Sequence, residues 1–226
     1  MRLGLRLAYS RLATLGRHGK IPVNTVRGGA RNKRGRISHA LAAKQCEGII
    51  AAVEHAQRIG LPLNRHWTVH WGLMGISDTD AGCLTGRILK LASDWARVRG
   101  LRFAWVYVRE HAPHEGKGSH VHILINGSSH LSRCFSSRSR AWIRLATGRA
   151  YVAGATRSRP VHGYNNRGET DPALYRANLE AVTGYLLKAA SCEAAAGLSL
   201  PRSGVGGPVI GKRCGWSENL GQASRA

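Results

Sequence analysis

The stretch LRFAWVYVREHAPHEGKGSHVHILIN, Leu101 to Asn126, decides the fold. Two runs rich in β-branched and aromatic residues, Leu101 to Glu110 and His120 to Asn126, flank a nine-residue loop from His111 to Ser119. That pattern predicts two strands joined as a hairpin. Side chains alternate along a strand, so Val121, Ile123 and Ile125 share one face and His120 and His122 the other, about 7 Å apart along the backbone. Directly opposed residues of an antiparallel pair share a face. Glu110 therefore faces the imidazoles whether it pairs with His120 or with His122. One carboxylate and two imidazoles on one spot suit a divalent cation with open positions, Mg²⁺ or Mn²⁺. By the same count His111 faces away, while His114 in the loop is a spare third ligand. The plain alternative is a pair of inert, hydrogen-bonded histidines beside a solvated strand end.

Upstream, HWTVHWGLMG (His66 to Gly75) alternates aromatic and β-branched residues and predicts another strand. Ser38 to Ile59 has helical spacing, with Ser38 as its cap and Gly60 and Pro62 ending it. A second helix opens at Asp78 or Thr79 and runs to about Arg99, with Leu84, Ile88, Leu91 and Trp95 as its apolar face. Downstream, a helix is expected around Ser136 to Leu145, and short strands in RAYVAGA and RSRPVHGY. Asp171-Pro172 starts a helix read through DPALYRANLEAVTGYLLKAASCEAAA.

On that last helix Tyr185 and Lys188 stand at i and i+3, so both project from nearly one face. Gly184 clears space beside the phenol, at a cost of about 1 kcal/mol relative to Ala. A phenol of pKa about 10 attacks only when a cation or base stabilises the phenolate. Lys188 can supply that charge or hold a phosphate. The ordinary alternative is a core tyrosine next to an exposed lysine.

The 226 residues carry 34 Lys and Arg against 12 Asp and Glu, a formal net charge of +22. Such a field suits polyanions, whether nucleic acid, an anionic membrane surface or acidic protein, and an enzyme for small acidic metabolites has no need of it. The hydrophobic fraction of 43% argues against a disordered polycation. No apolar run is long enough to cross a bilayer. Five scattered cysteines without a C-x-x-C read as reduced thiols rather than a disulfide or zinc framework. Residues 1–37 read as a flexible basic arm, densest from Arg27 to Arg36, and Arg27, Arg31, Lys33, Arg34 and Arg36 are expected to contact phosphate. Arg138, Arg140 and Arg144 belong to a second acid-free basic stretch, which runs on to Arg159. Residues 199–226 read as a Gly/Pro-rich basic tail.

Taken in order, the strand around Thr68, the strand ending in Glu110, His120-Val121-His122 and Tyr185-Leu186-Leu187-Lys188 resemble the HUH endonuclease superfamily. The resemblance is to its single-tyrosine rolling-circle replication initiators of small bacterial plasmids and phages, and it covers residues 64–195. It implies an α+β domain over residues 38–198, with a central antiparallel sheet of the RRM-like type and helices on one side. It implies a metal on His120, His122 and Glu110, and nicking of one DNA strand by Tyr185. The products would be a 5′-phosphotyrosyl link and a free 3′-OH. The partners it implies are single-stranded or extruded origin DNA and a host helicase and polymerase, in a bacterial cytoplasm and with no membrane. A second motif tyrosine is missing, and no P-loop accompanies the domain. An HUH transposase or relaxase shares this chemistry, although Tyr9 lacks the context of a relaxase nucleophile. The non-enzymatic alternative is a basic RRM-like binder that stacks bases on Trp67, Trp71, Trp105 or Tyr107.

Overall fold

The computed structural model describes residues 35–112, 118–165, 168–201, 203–204 and 206–225. Its centre is a five-stranded antiparallel sheet in the order β5-β2-β4-β3-β9, and the chain is of the α+β class. The strands are β2 (Arg65–His70), β3 (Trp105–Ala112), β4 (Gly118–Ile125), β5 (Thr156–Pro160) and β9 (Cys214–Trp216). Two-residue strands form separate ladders: β1 (Ile37–Ser38) with β8 (Val209–Ile210), and β6 (Tyr164–Asn165) with β7 (Gly168–Glu169). The helices are α1 (Ala43–Arg58), α2 (Asp78–Arg97), α3 (Ser129–Thr147), α4 (Pro172–Leu186), α5 (Cys192–Gly197) and α6 (Gln222–Arg225).

The β3–β4 hairpin forms with Glu110 opposite His120 and Val108 opposite His122. Strand alternation then sorts the sheet into two faces. Trp67, Val69, Tyr107, Val121, Ile123 and Ile125 pack on one face with Ile88, Trp95, Phe135 and Trp142 of α2 and α3. Val106, Val108, Leu124 and Cys214 pack on the other with Ile49, Val53, Leu179 and Leu186 of α1 and α4. Helices thus cover both faces, not one as expected. The physical reason lies in the strands, which are apolar at odd and even positions alike, so neither face can be left to water.

Three further expectations are corrected. Ser38 does not cap α1: it pairs in β1 with Val209, and the Ala42 backbone N–H takes its partner from Gln45 Oε1 at 2.9 Å. The late helix does not run on unbroken. After Leu186 it tightens into a 3₁₀ turn, Leu187–Ala189, turns extended at Ala190, and restarts as α5 under the Ser191 cap. The break is tertiary: Leu41 N–H donates to Ala189 O at 2.7 Å and Leu41 O accepts from Ser191 N–H at 2.9 Å. Finally, residues 199–226 are not an appended tail, since β9 forms an edge of the central sheet.

A buried ion pair pins that C-terminal segment. Arg109, 0% exposed, donates to Asp78 Oδ1 at 2.6 Å and to Ile210 O at 2.8 Å. Asp78 also accepts from Ser119 Oγ at 2.8 Å and from Ile210 N–H at 2.5 Å. Gly82 of α2 makes room, because a Cβ there would stand 2.9 Å from Arg109 Nη1. Asp78 thus ties α2, β3, β4 and β8 together. Asp78→Ala strands a buried guanidinium and should destabilise the fold by about 3–5 kcal/mol, read from the midpoint of urea unfolding.

Candidate active site

On the face shared with α1 and α4, the register lines up histidines of two strands with a carboxylate of a third. His70 of β2 lies opposite His120, which lies opposite Glu110, and Thr68 lies opposite His122. His120 Nε2 is 3.2 Å and His122 Nε2 3.6 Å from Glu110 Oε2. Lys188 Nζ is 2.9 Å from the same oxygen. The ring centroids of His122 and Tyr185 are 5.0 Å apart, and Lys188 Nζ sits 3.8 Å from the Tyr185 centroid. His120, His122, Glu110 and Lys188 are buried, whereas Tyr185 is 38% exposed and meets solvent.

The break after Leu186 is what brings the lysine in. In a 3₁₀ turn residues three apart eclipse one another, so Lys188 stands over Tyr185 with its ammonium turned inward to Glu110.

Burial opposes ionisation of Glu110, but the hydrogen bond with His120, the close His122 ring and the Lys188 charge overcome it. Its carboxyl is held well below the usual range. Burial disfavours the charged form of His122, and His120 and Lys188 add to that against the pull of Glu110, so its pKa falls.

The donor set fits a divalent cation. The ligand atoms of Glu110, His120 and His122 lie within 4.8 Å of one another. His120 Nδ1 donates to Gly118 O at 3.1 Å, which fixes the ring with Nε2 facing a carboxylate oxygen at 3.2 Å. Two acceptors brought together need a cation between them, a proton or a metal. His122 Nδ1 is fixed at 3.1 Å from Thr68 Oγ1. Its Nε2 and Glu110 Oε1 are buried without hydrogen-bond partners.

Of the residues singled out from sequence, Glu110, His120, His122, Tyr185 and Lys188 come together. Arg138, Arg140 and Arg144 do not join them. They are exposed on α3, which packs on the opposite sheet face. Arg36 is exposed beside β1. Arg27, Arg31, Lys33, Arg34 and His114 lie outside the described residues. Trp67, Trp71 and Tyr107 are core residues.

The sequence reading names Thr68 only as the centre of a strand and gives no role to His66 or His70. Their alternate positions in HWTVHW carried the signal, but nothing local said that β2 would pair with β4. Arg157 and Arg159 were read only as part of a long basic stretch. They lie opposite Thr68 and His66, hence on the site face at the exposed sheet edge. The C-terminal segment also walls the site: Gly206 passes so close that a Cβ on it would stand 3.4 Å from Glu110 Cγ. His66, Ala181, Val182 and Tyr185 line a shallow groove beside the phenol.

The sequence matches no protein-family model, and neither curated proteins nor solved structures give a match. Among the described residues, no helix is long and apolar enough to cross a membrane.

His66 gives the site a pH signature. Burial, then the nearby charges of His122, Lys188 and Arg159, lower its pKa from 6.5 to about 4. Between those values the unfolded chain binds a proton that the folded chain refuses, so stability falls as pH drops through that window. His122 acts in the same sense, whereas Glu110 adds its loss only below its unfolded value of 4.5. Urea unfolding of the metal-free protein at a series of pH values should show this slope, and His66→Leu should make it shallower.

Proposed function

We propose that this chain is a metal-dependent single-strand DNA endonuclease and strand transferase, built on an RRM-like sheet of the HUH kind. In this reading it initiates rolling-circle replication by nicking an origin. One observation carries the proposal: a solvent-reaching tyrosine, with a lysine against its ring, stands beside a buried His-His-Glu donor set on one sheet face.

The reaction follows from these groups. Tyr185 Oη forms a bond to the scissile phosphorus as the P–O3′ bond breaks. The phenolic proton goes to solvent, and the departing 3′ oxygen takes one up. The result is a 5′-phosphotyrosyl link and a free 3′-OH that a host polymerase can extend after a helicase opens the duplex. Attack by a 3′-OH on the phosphotyrosine reverses the step, so the strand is rejoined without ATP. A divalent cation such as Mg²⁺ or Mn²⁺, held by Glu110, His120 and His122, would supply Lewis-acid stabilisation of the phosphate charge. Lys188 supplies positive charge next to the phenol. Arg157 and Arg159 would guide the DNA backbone along the sheet edge toward Tyr185. The stacking-platform alternative is disfavoured, because Trp67 and Trp71 are 0% exposed and offer no ring face to a base.

The test uses a randomised pool of single-stranded oligonucleotides with Mn²⁺. Wild-type protein should nick a subset and carry a covalent oligonucleotide on the peptide containing Tyr185. Tyr185→Phe should lose nicking and adduct by at least about 10³-fold, as expected for a lost nucleophile, and keep its DNA affinity. His120→Ala/His122→Ala should also lose cleavage and still bind DNA. An adduct surviving in Tyr185→Phe would overturn the assignment.

The position of the basic residues gives a separate expectation. Arg157→Gln/Arg159→Gln should flatten the slope of log affinity against log salt by about 0.7 per lost phosphate contact. Anisotropy titrations should show a smaller effect for Arg138→Gln/Arg144→Gln.

A further inference from the structure

Lys188 occupies an unusual place. Its ammonium is 2.9 Å from Glu110 Oε2, the oxygen that also faces both imidazoles. It is buried to 7% exposure and lies 3.8 Å from the Tyr185 ring centroid. A cation ligated by Glu110 through Oε2 and by the two Nε2 atoms would have to share that oxygen with a positive charge at hydrogen-bond distance. Two cations on one carboxylate oxygen repel, and the low polarity of a buried site strengthens the repulsion. Lys188 has somewhere to go, because its ammonium already lies 3.8 Å from the ring centroid of a partly exposed tyrosine.

We infer that Lys188 is a built-in stand-in for the metal: its ammonium and a divalent cation compete for Glu110 Oε2, and metal loading releases Lys188 toward Tyr185 and the substrate phosphate. The competition stands on geometry alone. Only the use made of the released ammonium rests on the nuclease reading. In the metal-free protein Lys188 neutralises a buried carboxylate, which keeps the site folded. In the loaded protein the same charge becomes available at the nucleophile, so cleavage competence appears only once metal is in place.

The experiment uses the full chain, Mn²⁺ alone and no DNA, so its failure is distinct from a failure to nick. Mn²⁺ affinity is measured by calorimetry for wild type, Lys188→Met and Lys188→Arg. Lys188→Met removes the competitor and should tighten Mn²⁺ binding by about tenfold, within the usual range for one coupled charge. Lys188→Arg keeps the charge and should stay near wild type. Equal or weaker binding by a folded Lys188→Met would overturn the inference, since Lys188 would then be supporting Glu110 as a ligand. A second measurement needs no variant. Acetylation of wild-type Lys188 by acetic anhydride, read by peptide mass spectrometry, should rise when Mn²⁺ is bound. Unchanged or reduced labelling with Mn²⁺ would overturn it as well.

Discussion

A carboxylate in a protein interior must be surrounded by donors or cations, or it will not stay ionised. Glu110 sets that requirement here, and the site can be read as the way it is met. The hairpin places His120 opposite it, period-two spacing adds His122 one step along, and a 3₁₀ turn far away in sequence delivers Lys188. Each provider comes from a different level of structure: register, alternation and tertiary packing. Moving the hairpin register by one residue would turn Glu110 to the opposite face and leave three nitrogen groups around an empty point.

The two faces of the sheet divide the labour. The face under α2 and α3 is closed by tryptophans: Trp67 stacks edge-on against Phe135 at 5.2 Å, and Trp142 lies 6.2 Å from Trp67. The other face is apolar under α1 and α4 and polar at its far end, where α4 runs out and Tyr185 reaches solvent. Rigid packing behind the histidines fixes where their nitrogens point, which a donor set needs more than it needs exposure. The C-terminal segment completes this support. Arg213 donates to Ser38 O at 2.5 Å and to Gly207 O, holding β1 and the loop beside Glu110 in one piece.

Much of the site was legible because its key relations are local. The Glu110 parity needed only a hairpin, and the His120/His122 face needed only a strand. Residues whose role depends on distant pairing were not legible. His66 and Thr68 enter the site because β2 pairs with β4 and not with some other strand, and nothing within HWTVHW encodes that choice. The same holds for Cys214 to Trp216, a stretch too short and too rich in polar neighbours to announce itself as an edge strand. The basic residues mislead in another way. Charge along the sequence does not say where each arginine ends up: α3 packs on the face opposite the site, whereas Arg157 and Arg159 of the edge strand β5 stand on the site face, so the arginines of one run are split between the site and the far side.

The break in the late helix shows how a wrong local reading can still yield the right neighbours. Spacing alone puts Tyr185 and Lys188 on one stripe of a continuous helix, where the lysine would point outward with the phenol. The chain instead gives up two helical hydrogen-bonding positions to the backbone of Leu41, whose N–H and C=O are matched to Ala189 and Ser191. That exchange costs little, because hydrogen bonds are traded one for one. It turns the last residues from 3.6 to about 3 per turn, and the change in pitch carries the Lys188 ammonium off the surface and onto Glu110. The contact of the Lys188 ammonium with Glu110 therefore depends on Leu41, a residue 0% exposed and far from both in sequence. A helix that simply continued to Ala196 would keep the motif and lose the contact between Lys188 and the carboxylate.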